Sequence, residues 1–285
     1  MTTILPEESH ATHLGVRGKH HFLGGWANHP STRASQIAMR RATSSRLVPV
    51  RIEVRAYLSW NLLYSARHLA AMAADREKLE DLPSPIDPRG RAYVLSTVIT
   101  AITFLDAAIS EVYKDAADGP ETSYSRRMPV QMRERFAKMW SLTNSGWRST
   151  LERYEMGLLL ADAQPLDRGT ELYQDFDACV RLRNWIVHNR PERRGHHLQE
   201  PNLSKVLRSR NFESNALMKG QGNVWFPDHA LGAGCAKWAI DSARAFADEW
   251  MKRLDLEPVY GSVDEHQLPP EAVCDSRPRT AASWP

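Results

Sequence analysis

Wherever the apolar residues of this chain recur regularly, they recur with the period of a helix. Leu95, Val98, Ile102, Leu105, Ile109 and Val112 follow one another at intervals of three and four, which puts them on one face of an α-helix. That spacing predicts a helix over residues 89–117, closed by Gly119-Pro120. Upstream, Val54, Leu58, Leu62, Leu69 and Met72 predict a helix over 51–79, which the proline-rich stretch 81–90 breaks. Downstream, Met132, Phe136, Met139 and Trp140 predict a third helix over 130–142, and Leu158-Leu159-Leu160 sits in a fourth over 149–163. A fifth is expected over 167–188, limited by Pro191. A polar stretch, 190–227, holds at most a short helix near 203–208. A last long helix, 230–254, carries Ala236, Ile240, Ala243, Phe246 and Trp250. No run alternates apolar and polar residues as a half-buried strand would. The expected fold class is all-α, a helical bundle of about five or six helices with irregular N- and C-terminal extensions.

The expected divisions are an N-terminal extension (1–48), a helical domain (49–256) and a proline-rich tail (257–285). His10, His13, His20, His21 and His29 crowd the extension. They lack acidic or cysteine ligands in a fixed pattern, so they read as solvated tail residues and not as a metal site. Composition adds little. With a formal net charge of +3 over 285 residues, the chain permits a polyanionic partner without demanding one. Its three cysteines, Cys179, Cys235 and Cys274, are widely spaced and include no CxxC pair, which argues against a disulfide scaffold or a cysteine zinc site. Neither a signal-like segment nor an uninterrupted apolar run of about 18 residues is evident. A cytoplasmic protein without membrane contact or cofactor is expected.

The fifth predicted helix breaks its own pattern. Leu172, Phe176, Cys179, Arg183 and Ile186 fall at intervals of four and three, so this reading places a guanidinium on the apolar stripe. Such a group is costly to bury unless it is paired. Asn184 and His188 lie four apart and share a face. Arg183 and His188 lie five apart, about 140° around a straight helix. They line one groove only if the groove is wide or the helix end unwinds. Both residues can also simply complement the helix dipole.

The stretch Arg183-Asn184-Trp185-Ile186-Val187-His188 resembles the R-x4–6-H motif of HEPN domains, in the form with a polar residue after the arginine. Asn189-Arg190-Pro191-Glu192 is similar to that family's helix exit. Arg181 to His188 and Arg190 to His196 satisfy the same spacing, the latter across a proline and a glycine. The likeness covers roughly residues 93–254 and includes an early core helix, a long polar insert after the motif helix, and a final amphipathic helix with Trp238 and Trp250.

The resemblance implies a metal-independent endoribonuclease, acting as a toxin or in defence against phage. Arg183 would hold phosphate oxygens and His188 would be general acid or base. Asn184 would hold the histidine tautomer or a phosphate oxygen. The family's early core helix often carries an acidic residue facing the motif arginine. Asp106 is the first candidate and Glu111 the second. The resemblance further implies a homodimer with a composite active site, or a heteromer with a second such domain. An antitoxin or another defence-system protein is a possible partner. Trp185 and Val187, off the main stripe, are candidates for the dimer interface or for packing within the chain. Arg190, Arg193, Arg194, Arg208 and Arg210 are candidates to track an RNA backbone. Two alternatives stay open: a non-catalytic HEPN-like dimerisation or nucleotide/RNA-binding module, and an unrelated helical protein with a chance motif.

Overall fold

The computed structural model describes residues 55–79, 86–143, 149–188 and 202–265. Among them are seven α-helices and no strand: α1 (Leu58–Glu77), α2 (Pro88–Asp118), α3 (Val130–Thr143), α4 (Thr150–Leu160), α5 (Glu171–Val187), α6 (Asn202–Arg208) and α7 (Ala233–Arg253). The protein is an all-α bundle. The chain divides into two units, Met1–Glu53 and Val54–Pro285, and the described residues all belong to the second.

α2 is the central element, and α1, α3, α4, α5 and α7 all pack on it. Its start is set locally. Asp87 accepts hydrogen bonds from the backbone N–H of Arg89 and Gly90, and Pro88 occupies the first turn, where its missing N–H costs nothing. Arg76, in the last turn of α1, donates to both Asp87 oxygens, at 2.7 and 3.0 Å. One carboxylate therefore caps α2 and ties α1 to it. The chain leaves α2 at Gly119, whose φ of 116° few other residues adopt.

The predicted stripe of α2 is buried from Val98 to Val112, with Val94 taking the buried place expected for Leu95. The buried surface is wider than one stripe, because Ala101, Phe104, Ala108 and Tyr113 are buried too. Thr97, Thr100 and Thr103 return their hydroxyls to the carbonyls of Tyr93, Ser96 and Ile99, so hydroxyls on this apolar helix are satisfied within it. One 18-residue window of α2, interrupted by charge, reaches a mean hydropathy of 1.8, long and apolar enough by length and composition to cross a bilayer. Half of that window is buried inside the bundle.

Aromatic rings fill the space between α2, α4, α5 and α7. Phe176 stacks on Phe246 with centroids 3.8 Å apart, and Tyr154 meets Phe246 and Trp250 edge-on. Their polar atoms are matched: Trp250 Nε1 donates to the Tyr154 carbonyl, and Tyr154 Oη donates to that of Leu105. Residues just past 257 do not form a tail. Val259–Glu265 is a 3-10 turn packed on α1, and Tyr260 and Val263 are fully buried. Tyr260 lies edge-on to Phe104, 4.8 Å between centroids.

Two outcomes test this packing. A Cβ on Gly157 would lie 2.6 Å from Trp250 Cζ2 and 3.0 Å from Tyr113 Oη. Gly157→Ala is therefore expected to lower stability by about 1–3 kcal/mol in urea denaturation; an unchanged midpoint would contradict the close packing. Asp87→Asn should cost about 1–2 kcal/mol at neutral pH. Arg76 holds the Asp87 carboxyl below its ordinary pKa, so its stabilisation is complete above the unfolded value of about 3.9 and is lost as pH falls below it. The gap between wild type and variant should close in acid, and a constant gap down to about pH 2 would refute the linkage.

Candidate functional site

α5 starts at Thr170, whose hydroxyl accepts from the Tyr173 N–H. Tyr173, Phe176, Ala178, Cys179 and Leu182 are its buried residues. The buried seam thus passes through Leu182 and not Arg183. Strict four-and-three counting drifts against a helix of about 3.6 residues per turn, and the difference decides which of two neighbours faces the core. Arg183 lies at the seam's margin, half-buried, and Asn184 and His188 are exposed. No described residue hydrogen-bonds to or forms an ion pair with the Arg183 guanidinium. His188 closes the helix: its N–H still reaches the Asn184 carbonyl at 2.9 Å, while its own φ and ψ of −111° and 26° leave the helical region. α5 stays helical through Val187, so Arg183 and His188 point about 140° apart around the axis.

Neither expected acidic partner meets Arg183. Asp106 accepts from Thr150 Oγ1 and pairs with Arg153, both on α4. Glu111 accepts from the backbone N–H and the hydroxyl of Ser59, at 2.8 and 2.5 Å, capping α1. Burial holds the Glu111 carboxyl above its ordinary range, partly offset by those bonds from Ser59. Both carboxylates are spent on holding other helices to α2.

Of the basic candidates, Arg190, Arg193 and Arg194 lie outside the described residues. Arg210 is committed to structure: it pairs with Asp175 at 3.2 Å and donates to Gln174, on the flank of α5. Arg208 is exposed and stands over the Trp225 ring, 4.3 Å from its centroid. Trp185 packs edge-on against Phe226 at 4.7 Å, within the same chain, whereas Val187 is 51% exposed.

The region read as polar, 190–227, holds an aromatic cluster in its described part. Phe212 and Trp225 stack at 6.4 Å, and Phe212 meets Trp238 at 5.1 Å. The adjacent Trp225-Phe226-Pro227 was the available signal. A groove of about 440 Å³ opens beside Phe212 and Trp238, lined also by Asp175, Glu213 and Asp241. Lys237 lines it too, and Asp175 and Asp241 are ion-paired with Arg210 and Lys237.

Other chemistries find little here. Among the described residues, no group of three or more His, Cys, Asp or Glu is placed to hold a metal ion. Cys179 and Cys235 are buried free thiols, and burial pushes both pKa values up, that of Cys235 to about 12. Neither is a thiolate nucleophile near neutrality. No protein-family model matches the chain, no curated protein matches it in sequence, and no solved structure matches it in fold.

These placements separate structural from idle charge. Asp106→Ala strips its carboxylate from Arg153, whose side chain is only 16% exposed, and should cost about 1–3 kcal/mol of stability. Arg183→Ala should change stability by less than about 0.5 kcal/mol. Equal losses in urea denaturation would show that Arg183 is a structural residue.

Proposed function

We propose that this protein is a HEPN-type, metal-independent endoribonuclease of the cytoplasm, used as a toxin or anti-phage effector. One observation carries the reading: Arg183, Asn184 and His188 sit at a solvent-facing helix end, and no described residue binds the side chain of any of the three. Groups that folding has not used are available to a substrate. RNA brings its own nucleophile. His188 of one protomer takes the proton of a 2′-OH, the oxygen attacks phosphorus, and the 5′-oxygen leaves with a proton from the His188 of a second protomer. Arg183 stabilises the charge that builds on the phosphoryl oxygens, and Asn184 orients His188 or a phosphate oxygen. The divergence of Arg183 and His188 around α5 favours a composite site, in which the two residues serve a cleft between protomers. The exposed Val187 suits that interface, while Trp185 is already occupied. An antitoxin or a second defence protein would control access to the cleft.

A specific observation favours a second reading. Asp106 and Glu111 are bound elsewhere, so no acidic group among the described residues anchors Arg183. A non-catalytic HEPN-like dimerisation or nucleotide/RNA-binding module would need no such anchor.

Single-stranded RNA incubated in EDTA decides between them. Wild type is expected to cleave it, and His188→Ala to lower the rate by at least about 100-fold. Equal, negligible cleavage by both would leave the binding module.

A further inference from the structure

The end of α5 that carries the motif is held by few contacts. The buried residues of the helix stop at Leu182. Beyond it Trp185 and Ile186 are half-buried, and Val187 and His188 are exposed. A helix end that buries so little frays unless another element packs on it. Trp185, three residues before His188, is the largest apolar side chain of that turn. Its ring meets Phe226 edge-on, 4.7 Å between centroids. Phe226 is itself buried in the core, so this contact ties the last turn of α5 to the bundle.

Phe226 belongs to the Trp225–His229 turn, which is fastened from α2. Arg91, in the first turn of α2, donates through Nη1 to the Pro227 carbonyl at 3.1 Å and through Nη2 to the Asp228 carbonyl at 3.4 Å. The Asp228 carboxylate lies 3.5 Å from the same guanidinium. Backbone bonds from Ala230 to the Trp225 carbonyl and from Leu231 to that of Pro227 shape the turn itself; Arg91 sets where it stands against α2. Charge-assisted bonds from a planar guanidinium are strong and directional. The Arg91 side chain is largely shielded from solvent, which limits competition from water.

We propose that Arg91 is a positioning residue for the end of α5. Acting through Pro227, Phe226 and Trp185, it fixes the turn that carries Asn184 and His188. What that turn does rests on the ribonuclease reading; how it is held rests on packing alone.

Amide hydrogen exchange on the full chain tests the relay. The His188 N–H, bonded to the Asn184 carbonyl at 2.9 Å, reports the last turn. In Arg91→Ala, exchange over residues 184–188 should quicken at least about tenfold, while residues 176–182 of the same helix stay within about twofold of wild type. Arg91→Lys keeps a charged donor without the fork and should recover part of the protection. Phe226→Leu breaks the relay one step further on and should reproduce the local loss, which decides the matter if Arg91→Ala does not fold. Unchanged exchange at 184–188, or equal acceleration along the whole helix, would overturn the relay; the second result would mark Arg91 as a general stabiliser only. Cleavage of single-stranded RNA in EDTA, read in parallel, keeps the two claims apart. Where wild type cleaves, Arg91→Ala should lower kcat by up to about 100-fold with KM little changed. A local exchange effect without His188-dependent cleavage keeps the relay and removes the ribonuclease; His188-dependent cleavage without the exchange effect does the reverse.

Discussion

Five helices close around α2, and this helix carries three carboxylates on its inner length, each of which another segment must answer. Asp106 is met by Thr150 and Arg153 of α4. Glu111 is met by Ser59 at the start of α1. Asp115, 1% exposed, accepts from Arg55, Tyr57 Oη and the Tyr124 N–H. Unmatched, the buried Asp115 charge would cost several kcal/mol; together the three sets of contacts fix where α4, α1 and the loop after α2 can lie. The same commitments leave no carboxylate of α2 for Arg183. The polarity of the α5 end follows from what the core has already used.

Much of this architecture is legible in the residues. The spacing of Val98, Ile102, Leu105, Ile109 and Val112 marks the central helix, and Ala236, Ile240, Ala243, Phe246 and Trp250 mark the buried face of α7. Caps and breakers place the ends of α2, α4 and α5 within a few residues. What escapes is any choice between near neighbours or distant partners. Leu182, and not Arg183, meets the core, because a counting template drifts by a fraction of a residue each turn. Asp106 pairs with Arg153, 47 residues away, and no local pattern records such a choice. Pro258 marks the end of regular helix, yet Tyr260 and Val263 return to the core, because burial rewards an irregular segment as well as a helical one.

The candidate site was legible as a motif and not as an arrangement. Arg183, Asn184 and His188 could be named from their spacing. That Asn184 and His188 are exposed, and that no described residue binds the side chain of any of the three, required coordinates, as did the placing of Arg208 over Trp225. Arg208 and Arg210 look alike in the sequence, but Arg210 is consumed by Asp175 and Gln174 and Arg208 stays exposed.

The central claim is that an idle arginine and histidine at the end of α5 serve RNA chemistry that uses the substrate's own hydroxyl. The termini of the cleaved RNA report on it most directly. The account predicts a 2′,3′-cyclic phosphate on one fragment and a 5′-hydroxyl on the other, with no cut where the 2′-oxygen is methylated. Fragments ending in a 3′-hydroxyl and a 5′-phosphate would contradict it, because water and not the 2′-OH would then be the nucleophile.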